Sequence, residues 1–245
     1  MHAIHDAIEE AVHRNNGKRP GQLERLPNEI KLEVLGWVSD GRSILNLALT
    51  GPQFCAFIAM YEKTIAFNVV TWNIPAEMLD VAAVNHSTCY ATWNVHTFGH
   101  PEFNKGLRMS LAYSQSINVF VDKYRQGVYT FEKKHPKGLQ LYEASQYLDT
   151  HNAVRYYAKT LAVIAEEQFP SYLPAHPEIS PIALRRYQRA LYIVQLVADL
   201  FSWKAALPTL AMGRAWSIFW HHFMPWEYEQ VYCANKLLQQ HLNNA

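Results

Sequence analysis

The feature that most constrains the fold is a leucine–proline pair followed by apolar residues at helical spacing. Pro27 suits the first position of a helix, where the missing N–H costs little. Ile30, Val34 and Val38 then recur every four residues, which predicts an amphipathic helix with a wide apolar face. A polar break at residues 39–42 ends this helix. The helix is therefore expected to bury its apolar face against another part of the chain or against a partner.

A second and a third helix are predicted directly after it. Ser43 is a suitable N-cap for the second helix, whose apolar residues occupy positions 44–49. A Gly-Pro pair at 51–52 ends that helix, and a third apolar stripe follows at residues 54–61. A unit as small as residues 22–70 buries too little surface to be stable alone. The pattern therefore predicts either a small helical module that docks on a partner or the first layer of a larger helical domain.

The rest of the chain is also predicted to be helical. Residues 1–21 indicate a short helix and a polar linker, and residues 71–245 a larger, irregular helical domain. Residues 65–70 have no apparent partner strand and are interpreted as an extended connector or an irregular helix. Helices are predicted at 142–169 and from Pro181 to about residue 204. The second of these is expected to bury a face made of Tyr187, Ala190, Leu191, Val194, Val197, Ala198 and Phe201. No alternating strand series is present, so the predicted fold class is all-α.

Composition and charge argue against several classes of function. The 245 residues carry a formal net charge of +1, which gives no field attracting nucleic acid or a membrane surface. Hydrophobic residues make up 49% and charged residues 18%, as in a globular core. We expect no transmembrane helix and no signal peptide, because no apolar run of the required length occurs. The three cysteines suggest no disulfide framework. We therefore expect an intracellular protein of the cytoplasm, the nucleus or both.

Candidate catalytic and metal-binding residues are few. His96 and His100 have the spacing of two ligands on one helical face, but the neighbouring Gly99 and Pro101 predict a loop. Cys89 lacks the local signature of a nucleophile. No glycine-rich phosphate loop or dinucleotide fingerprint is present. We expect no catalytic residue, no metal site and no cofactor. A metal-dependent enzyme using the two histidines is the class of function that the sequence supports least.

The N-terminal pattern resembles the F-box, the segment by which substrate receptors of cullin-based ubiquitin ligases bind Skp-type adaptors. The resemblance covers about a fifth of the chain. It is carried by Leu26, Pro27, Glu29, Ile30, Val34, Val38, Ile44, Leu45, Leu47, Thr50 and Phe54. In the C-terminal half, residues 186–192 and 225–230 are similar to helical regions that follow F-boxes in fungal proteins. The resemblance implies that the adaptor is bound by Leu26, Pro27, Ile30, Val34, Leu35, Val38, Ile44, Leu45 and Leu47.

The resemblance implies a non-catalytic substrate receptor of an SCF-type ubiquitin ligase. Its partners would be a Skp-type adaptor, a cullin bound through that adaptor, and a target protein bound by residues 71–245. Arg185, Arg186 and Arg189 form a basic cluster that would contact an acidic or phosphorylated target, or simply form a solvated helical face. Trp216, Trp220, Trp226 and Tyr228 likewise suit either a recognition surface or a helix–helix core.

A different class of function competes with this one. The chain would then be a stand-alone helical interaction scaffold whose F-box-like segment packs internally. That hypothesis predicts that Ile30, Leu35, Ile44 and Leu47 are buried against residues beyond 71.

Overall fold

The computed structural model describes residues 25–89, 107–168, 179–201 and 209–244. In these ranges the regular elements are α-helices and no strand occurs, which confirms the predicted all-α fold. The helices are α1 (Asn28–Gly36), α2 (Gly41–Thr50), α3 (Pro52–Asn73), α4 (Ala76–Cys89), α5 (Leu107–Arg125), α6 (Phe131–Lys134), α7 (Leu141–Gln168), α8 (Pro181–Phe201), α9 (Thr209–Trp220) and α10 (Pro225–Asn244).

The chain divides into two compact units. The N-terminal unit comprises Met1–Glu77 with His135–His151, and the C-terminal unit comprises Met78–Lys134 with Asn152–Ala245. The N-terminal unit therefore has wider bounds than the predicted module of residues 22–70, because it also includes a later segment of the chain.

The start of α1 differs by one residue from the predicted start, and the start of α2 differs by three. Pro27 is the N-cap of α1 rather than its first helical residue, and its carbonyl oxygen accepts the N–H of Lys31 at 3.1 Å. Asp40, not Ser43, is the N-cap of α2. Asp40 has an extended backbone and a carboxylate that accepts the N–H of Ser43 at 2.7 Å, which satisfies a donor left free at the helix start.

Helix α3 is much longer than the predicted third helix. It begins at Pro52 after an extended Gly51 and continues to Asn73, with one non-helical residue at Tyr61 (φ −108°, ψ 17°). The extended alternative for residues 65–70 is wrong, since this segment belongs to the second half of α3. Its residues Ile65, Ala66, Val69 and Val70 are fully buried. Burial on the core side outweighs the weak strand preference of β-branched residues.

The core of the N-terminal unit joins α1, α2, α3 and α7. Helix α1 lies beside the second half of α3, with Asn28 hydrogen-bonded to the Tyr61 hydroxyl at 3.4 Å and the Val38 carbonyl accepting from Asn73 Nδ2 at 3.1 Å. The buried cluster consists of Leu35, Ile44, Phe57, Ile58, Ile65, Val69 and Leu148. Leu148 comes from α7, so the apolar faces of the first three helices are completed by a residue more than seventy positions later.

In the C-terminal unit, α8 packs on α10 and α5 packs on α9. The predicted buried face of α8 is partly wrong. Ala190, Leu191 and Phe201 are buried as expected, but Ala198 is exposed and Tyr187, Val194 and Val197 are half-buried. The buried stripe instead contains Gln188, Tyr192, Ile193, Leu196 and Leu200. The carbonyl of Tyr192 accepts a hydrogen bond from the buried Asn85 side chain of α4 at 2.9 Å, which helps to set the rotation of the helix.

One helix of the described residues, α3, is long and apolar enough to cross a membrane by length and composition alone. Core helices of soluble proteins pass the same test, and α3 supplies Phe57, Ile58, Ile65 and Val69 to the buried cluster.

Replacing Leu148 with Ala should destabilise the N-terminal unit. The side chain is 1% exposed and completes the apolar cluster, so its removal leaves a cavity at a cost of about 2–5 kcal/mol in the free energy of unfolding. Urea denaturation of the full chain measures this change. Val163→Ala, an exposed position on the same helix, is the control and should change the free energy by less than about 0.5 kcal/mol. Equal stability of Leu148→Ala and the wild type would contradict the assignment of this residue to the core.

Candidate docking surface

Helix α1 has apolar side chains on two sides. Leu35 is 1% exposed and points into the core, whereas Ile30 is 43% exposed and Val34 48%. Trp37, the residue directly after the helix, is 72% exposed. Ile30, Val34 and Trp37 are spaced by four and three residues, so they lie along one stripe of the helical surface. Large apolar side chains that are grouped and exposed are typical of an interaction surface.

Trp37 extends this stripe toward α3. Its ring meets the ring of Trp72 edge-on, with the centroids 5.2 Å apart and an interplanar angle of 68°. Trp72 also lies against Gly36, where an added Cβ would come within 2.8 Å of the Trp72 ring. The absence of a side chain at Gly36 therefore lets the indole rest directly on the backbone of α1. We call Ile30, Val34, Trp37 and Trp72 the α1 surface.

Helix α2 also has exposed apolar residues. Leu45 and Leu49 are exposed and four residues apart, whereas Ile44 is buried in the core cluster. Leu47 is half-buried and packs against the same cluster. The first two helices of the module thus have both a core-facing and a solvent-facing apolar side.

The nine residues predicted to bind the adaptor fall into three groups. Pro27, Ile30, Val34 and Leu45 are exposed; Leu26, Val38 and Leu47 are half-buried; Leu35 and Ile44 are buried. The two buried residues have no surface to offer a partner in this structure, because their side chains hold α1 and α2 on α3 and α7. Trp37 and Trp72 were missed as candidate contact residues. The spacing of Trp37 from Ile30 and Val34 was a usable signal, whereas Trp72 reaches this surface only through the packing of α3.

The N-terminus of α2 is capped by the carboxylate of Asp40. Both Asp40 carboxylate oxygens accept hydrogen bonds from Ser43, one from its hydroxyl and one from its backbone N–H, each at 2.7 Å. These bonds, the hydroxyl bond first, lower the pKa of Asp40 from its ordinary value because they favour the ionised carboxylate. The charge also lies at the positive end of the helix dipole.

The three arginines of the predicted basic cluster on α8 have different surroundings. Arg189 donates two hydrogen bonds to one carboxylate oxygen of Glu227 on α10, from Nη2 at 2.8 Å and from Nε at 3.1 Å. Arg185 and Arg186 are exposed on the same helix. Arg189 therefore links two helices of the C-terminal unit.

The four aromatic residues predicted as a recognition surface or a core also differ in their surroundings. The Trp220 ring packs with the rings of Trp216 and Phe219, at centroid distances of 5.6 and 5.1 Å respectively. Trp226 and Tyr228 are exposed. The core interpretation thus fits the first two tryptophans and leaves the last two residues at the surface.

The described residues contain no group of three or more histidine, cysteine or acidic residues that could hold a metal ion. His96 and His100 lie outside the described residues, as does the side chain of Cys89. Of the other cysteines, Cys55 is buried in α3 and Cys233 is exposed on α10. Burial raises the pKa of the Cys55 thiol, which disfavours a reactive thiolate.

The chain matches no protein-family model, no curated protein and no solved structure.

Replacing Asp40 with Ala should lower the free energy of unfolding by about 1 kcal/mol at pH 7, because the N-cap of α2 is lost. The pKa of Asp40 in the folded protein lies below its ordinary value of 3.8. The stabilisation by the charged carboxylate is therefore complete above that value and is lost as the pH falls through the lowered pKa. Asp40→Asn, which keeps an acceptor oxygen without the charge, should become as stable as the wild type at the acidic end. Urea denaturation at several pH values measures both effects, and a wild-type advantage that grew toward low pH would refute the interpretation.

Replacing Arg189 with Ala should destabilise the C-terminal unit by about 1 kcal/mol, since a partly exposed ion pair with two hydrogen bonds is lost. Arg186→Ala removes the same charge from the same helix and should change the free energy of unfolding by less than about 0.5 kcal/mol. Thermal and urea denaturation of the two variants provide the comparison. Equal effects would mean that the Arg189–Glu227 pair does not stabilise α8 against α10.

Proposed function

We propose that this protein is a non-catalytic substrate receptor of an SCF-type, cullin-based ubiquitin ligase. The observation that carries the proposal is the exposed apolar stripe of α1, which directly follows the Leu-Pro start. Ile30 and Val34 belong to the F-box-like pattern and are also solvent-exposed. If the core were complete without a partner, these two exposed positions would not need apolar side chains.

The proposed docking is driven by the hydrophobic effect. Covering Pro27, Ile30 and Val34 on α1 and Leu45 on α2 removes apolar surface from water, at about 25 cal/mol for each Å². The same positions are those by which the F-box resemblance implies binding to a Skp-type adaptor. Leu35 and Ile44 act indirectly in this proposal, since they hold the exposed residues in place from the core side.

The C-terminal unit is proposed to bind the target protein. The exposed Arg185 and Arg186 suit an acidic or phosphorylated segment of a target. A receptor of this kind accelerates ubiquitin transfer by holding the target near the charged conjugating enzyme, and it needs no catalytic side chain of its own. The proposed location is inside the cell, in the cytoplasm, the nucleus or both, where such ligases act.

A second function, a stand-alone helical interaction scaffold, is favoured by a different observation. Leu148 of α7 belongs to the same buried cluster as Leu35 and Ile44, so the F-box-like helices pack on a residue beyond position 71. Gly41 lies so close to Ser145 that an added Cβ would come within 2.6 Å of the serine Cβ. This scaffold hypothesis also required Ile30 to be buried, and Ile30 is exposed. The α1 surface therefore favours the receptor over the scaffold.

The test is co-purification of the full chain with a Skp-type adaptor. Replacing Ile30 and Val34 together with Ala should reduce adaptor capture by at least about tenfold, because two exposed anchors of the interface are removed. Both positions are solvent-exposed and alanine favours helices, so circular dichroism and the melting temperature should be unchanged. Leu26→Ala/Pro27→Ala tests the start of the same pattern and should also lose the adaptor.

A matched control is available in the C-terminal unit. Ile182→Ala/Val163→Ala removes the same two types of side chain from exposed positions on other helices and should retain the adaptor. If the well-folded wild-type chain captures no adaptor, the receptor function is excluded and the scaffold hypothesis takes its place. If the adaptor is captured equally by the wild type and the Ile30→Ala/Val34→Ala variant, binding does not use the F-box-like helix.

A further inference from the structure

The side of α1 opposite the core has charge as well as apolar surface. Glu29 and Glu33 are exposed and stand four residues apart, and Trp37 stands four residues after Glu33. Residues at this spacing are neighbours on a helical surface. Neither carboxylate has a hydrogen-bond or ion-pair partner among the described residues. The neighbouring cation, Lys31, lies elsewhere, with its Nζ 5.3 Å from the centre of the Phe57 ring.

The two tryptophans beside these carboxylates have a defined geometry. Trp72 rests on Gly36 and meets Trp37 edge-on, so each ring restricts the movement of the other. Both rings nevertheless remain exposed, at 45% for Trp72 and 72% for Trp37. A pair of rings held in place before binding loses little conformational freedom when a partner docks, which is the property of an affinity-determining anchor.

We infer that the docked adaptor places a cationic side chain, from arginine or lysine, against Trp37 and Trp72 at the edge formed by Glu29 and Glu33. This inference rests on the proposed receptor function and extends the interface beyond the F-box-like residues to Trp72 of α3. The partner that fits the whole face has an apolar centre covering Ile30 and Val34, with a positive charge beside it.

The chemistry of this face of α1 favours contact with a cationic side chain. Aromatic faces attract cations electrostatically, and indole is the strongest of the natural side chains in this respect. Two unpaired carboxylates next to the rings add a second attraction for the same charge. They also disfavour an acidic group at this position, since like charges brought together on docking repel each other. A purely apolar partner would have to desolvate both carboxylates without compensation, which is costly.

The experiment is isothermal titration of the full chain with a purified Skp-type adaptor at two salt concentrations. Trp37→Ala should weaken the adaptor affinity by about 30-fold or more, the range of a hot-spot residue. Glu33→Gln should weaken it by about three- to tenfold at low salt and reduce the salt dependence of the affinity. The matched controls Trp226→Ala and Glu229→Gln, exposed residues of α10, should leave the affinity unchanged.

Gly36→Ala tests whether the position of the Trp72 ring matters. The added Cβ would contact the ring at 2.8 Å and displace it without removing it. This variant should weaken adaptor binding about as much as Trp72→Ala, and the double variant Gly36→Ala/Trp72→Ala should be no weaker than Trp72→Ala alone. Circular dichroism of each variant establishes that the helices are retained.

The outcomes separate the inference from the function on which it rests. If the adaptor binds the wild type, and Trp37→Ala and Glu33→Gln bind with the same affinity and salt dependence, the inference is wrong and the receptor function stands. If the wild type does not bind the adaptor at all, the receptor function fails and the inference fails with it.

Discussion

The structure of the N-terminal unit depends on the burial of one side of α3. Ile65 and Val69 of this helix are fully buried in a cluster that also contains Leu35 of α1, Ile44 of α2 and Leu148 of α7. Because apolar burial is the dominant favourable term in folding, this cluster fixes the rotation of each helix about its axis. It thereby decides which apolar residues are used internally and which are left outside. Ile30 and Val34 belong to the α1 surface because α1 has more apolar side chains than the cluster buries.

The same packing determines the chemical character of that surface. With Leu35 turned inward, Ile30 and Val34 point outward, and Glu29 and Glu33 are also exposed. The close fit at Gly36 then brings Trp72 of α3 next to Trp37. An apolar stripe, an aromatic pair and an acidic edge are thus combined on one face, and such a combination suits recognition of a partner with complementary charge better than it suits a core.

Helix α7 supplies part of the packing that stabilises the F-box-like helices in this chain. Small helical units bury too little surface to be stable alone, and here the deficit is met within the chain by Leu148 and by the close approach of Ser145 to Gly41. The F-box-like helices are therefore integrated into a larger unit on one side while another side remains exposed. In the receptor hypothesis a Skp-type adaptor covers that exposed side, whereas the scaffold hypothesis predicted that Ile30 on this side is buried within the chain, and Ile30 is exposed.

Much of the local structure could be predicted from the sequence alone. The all-α class, the breaks near residues 40 and 51, and the start of α8 at Pro181 follow from helical periodicity, proline and capping chemistry, which act over a few residues. Pro27, Ile30 and Val34 are exposed, and their role as contact residues stays a prediction. Helix rotation and long-range packing were not accessible in this way. Leu35 and Ile44 are buried, the stripe on α8 is shifted toward Tyr192 and Leu196, and Trp72 lies beside Trp37. Periodicity identifies apolar faces, but which of two apolar faces is buried is decided by partners distant in the chain, and only the tertiary structure contains them.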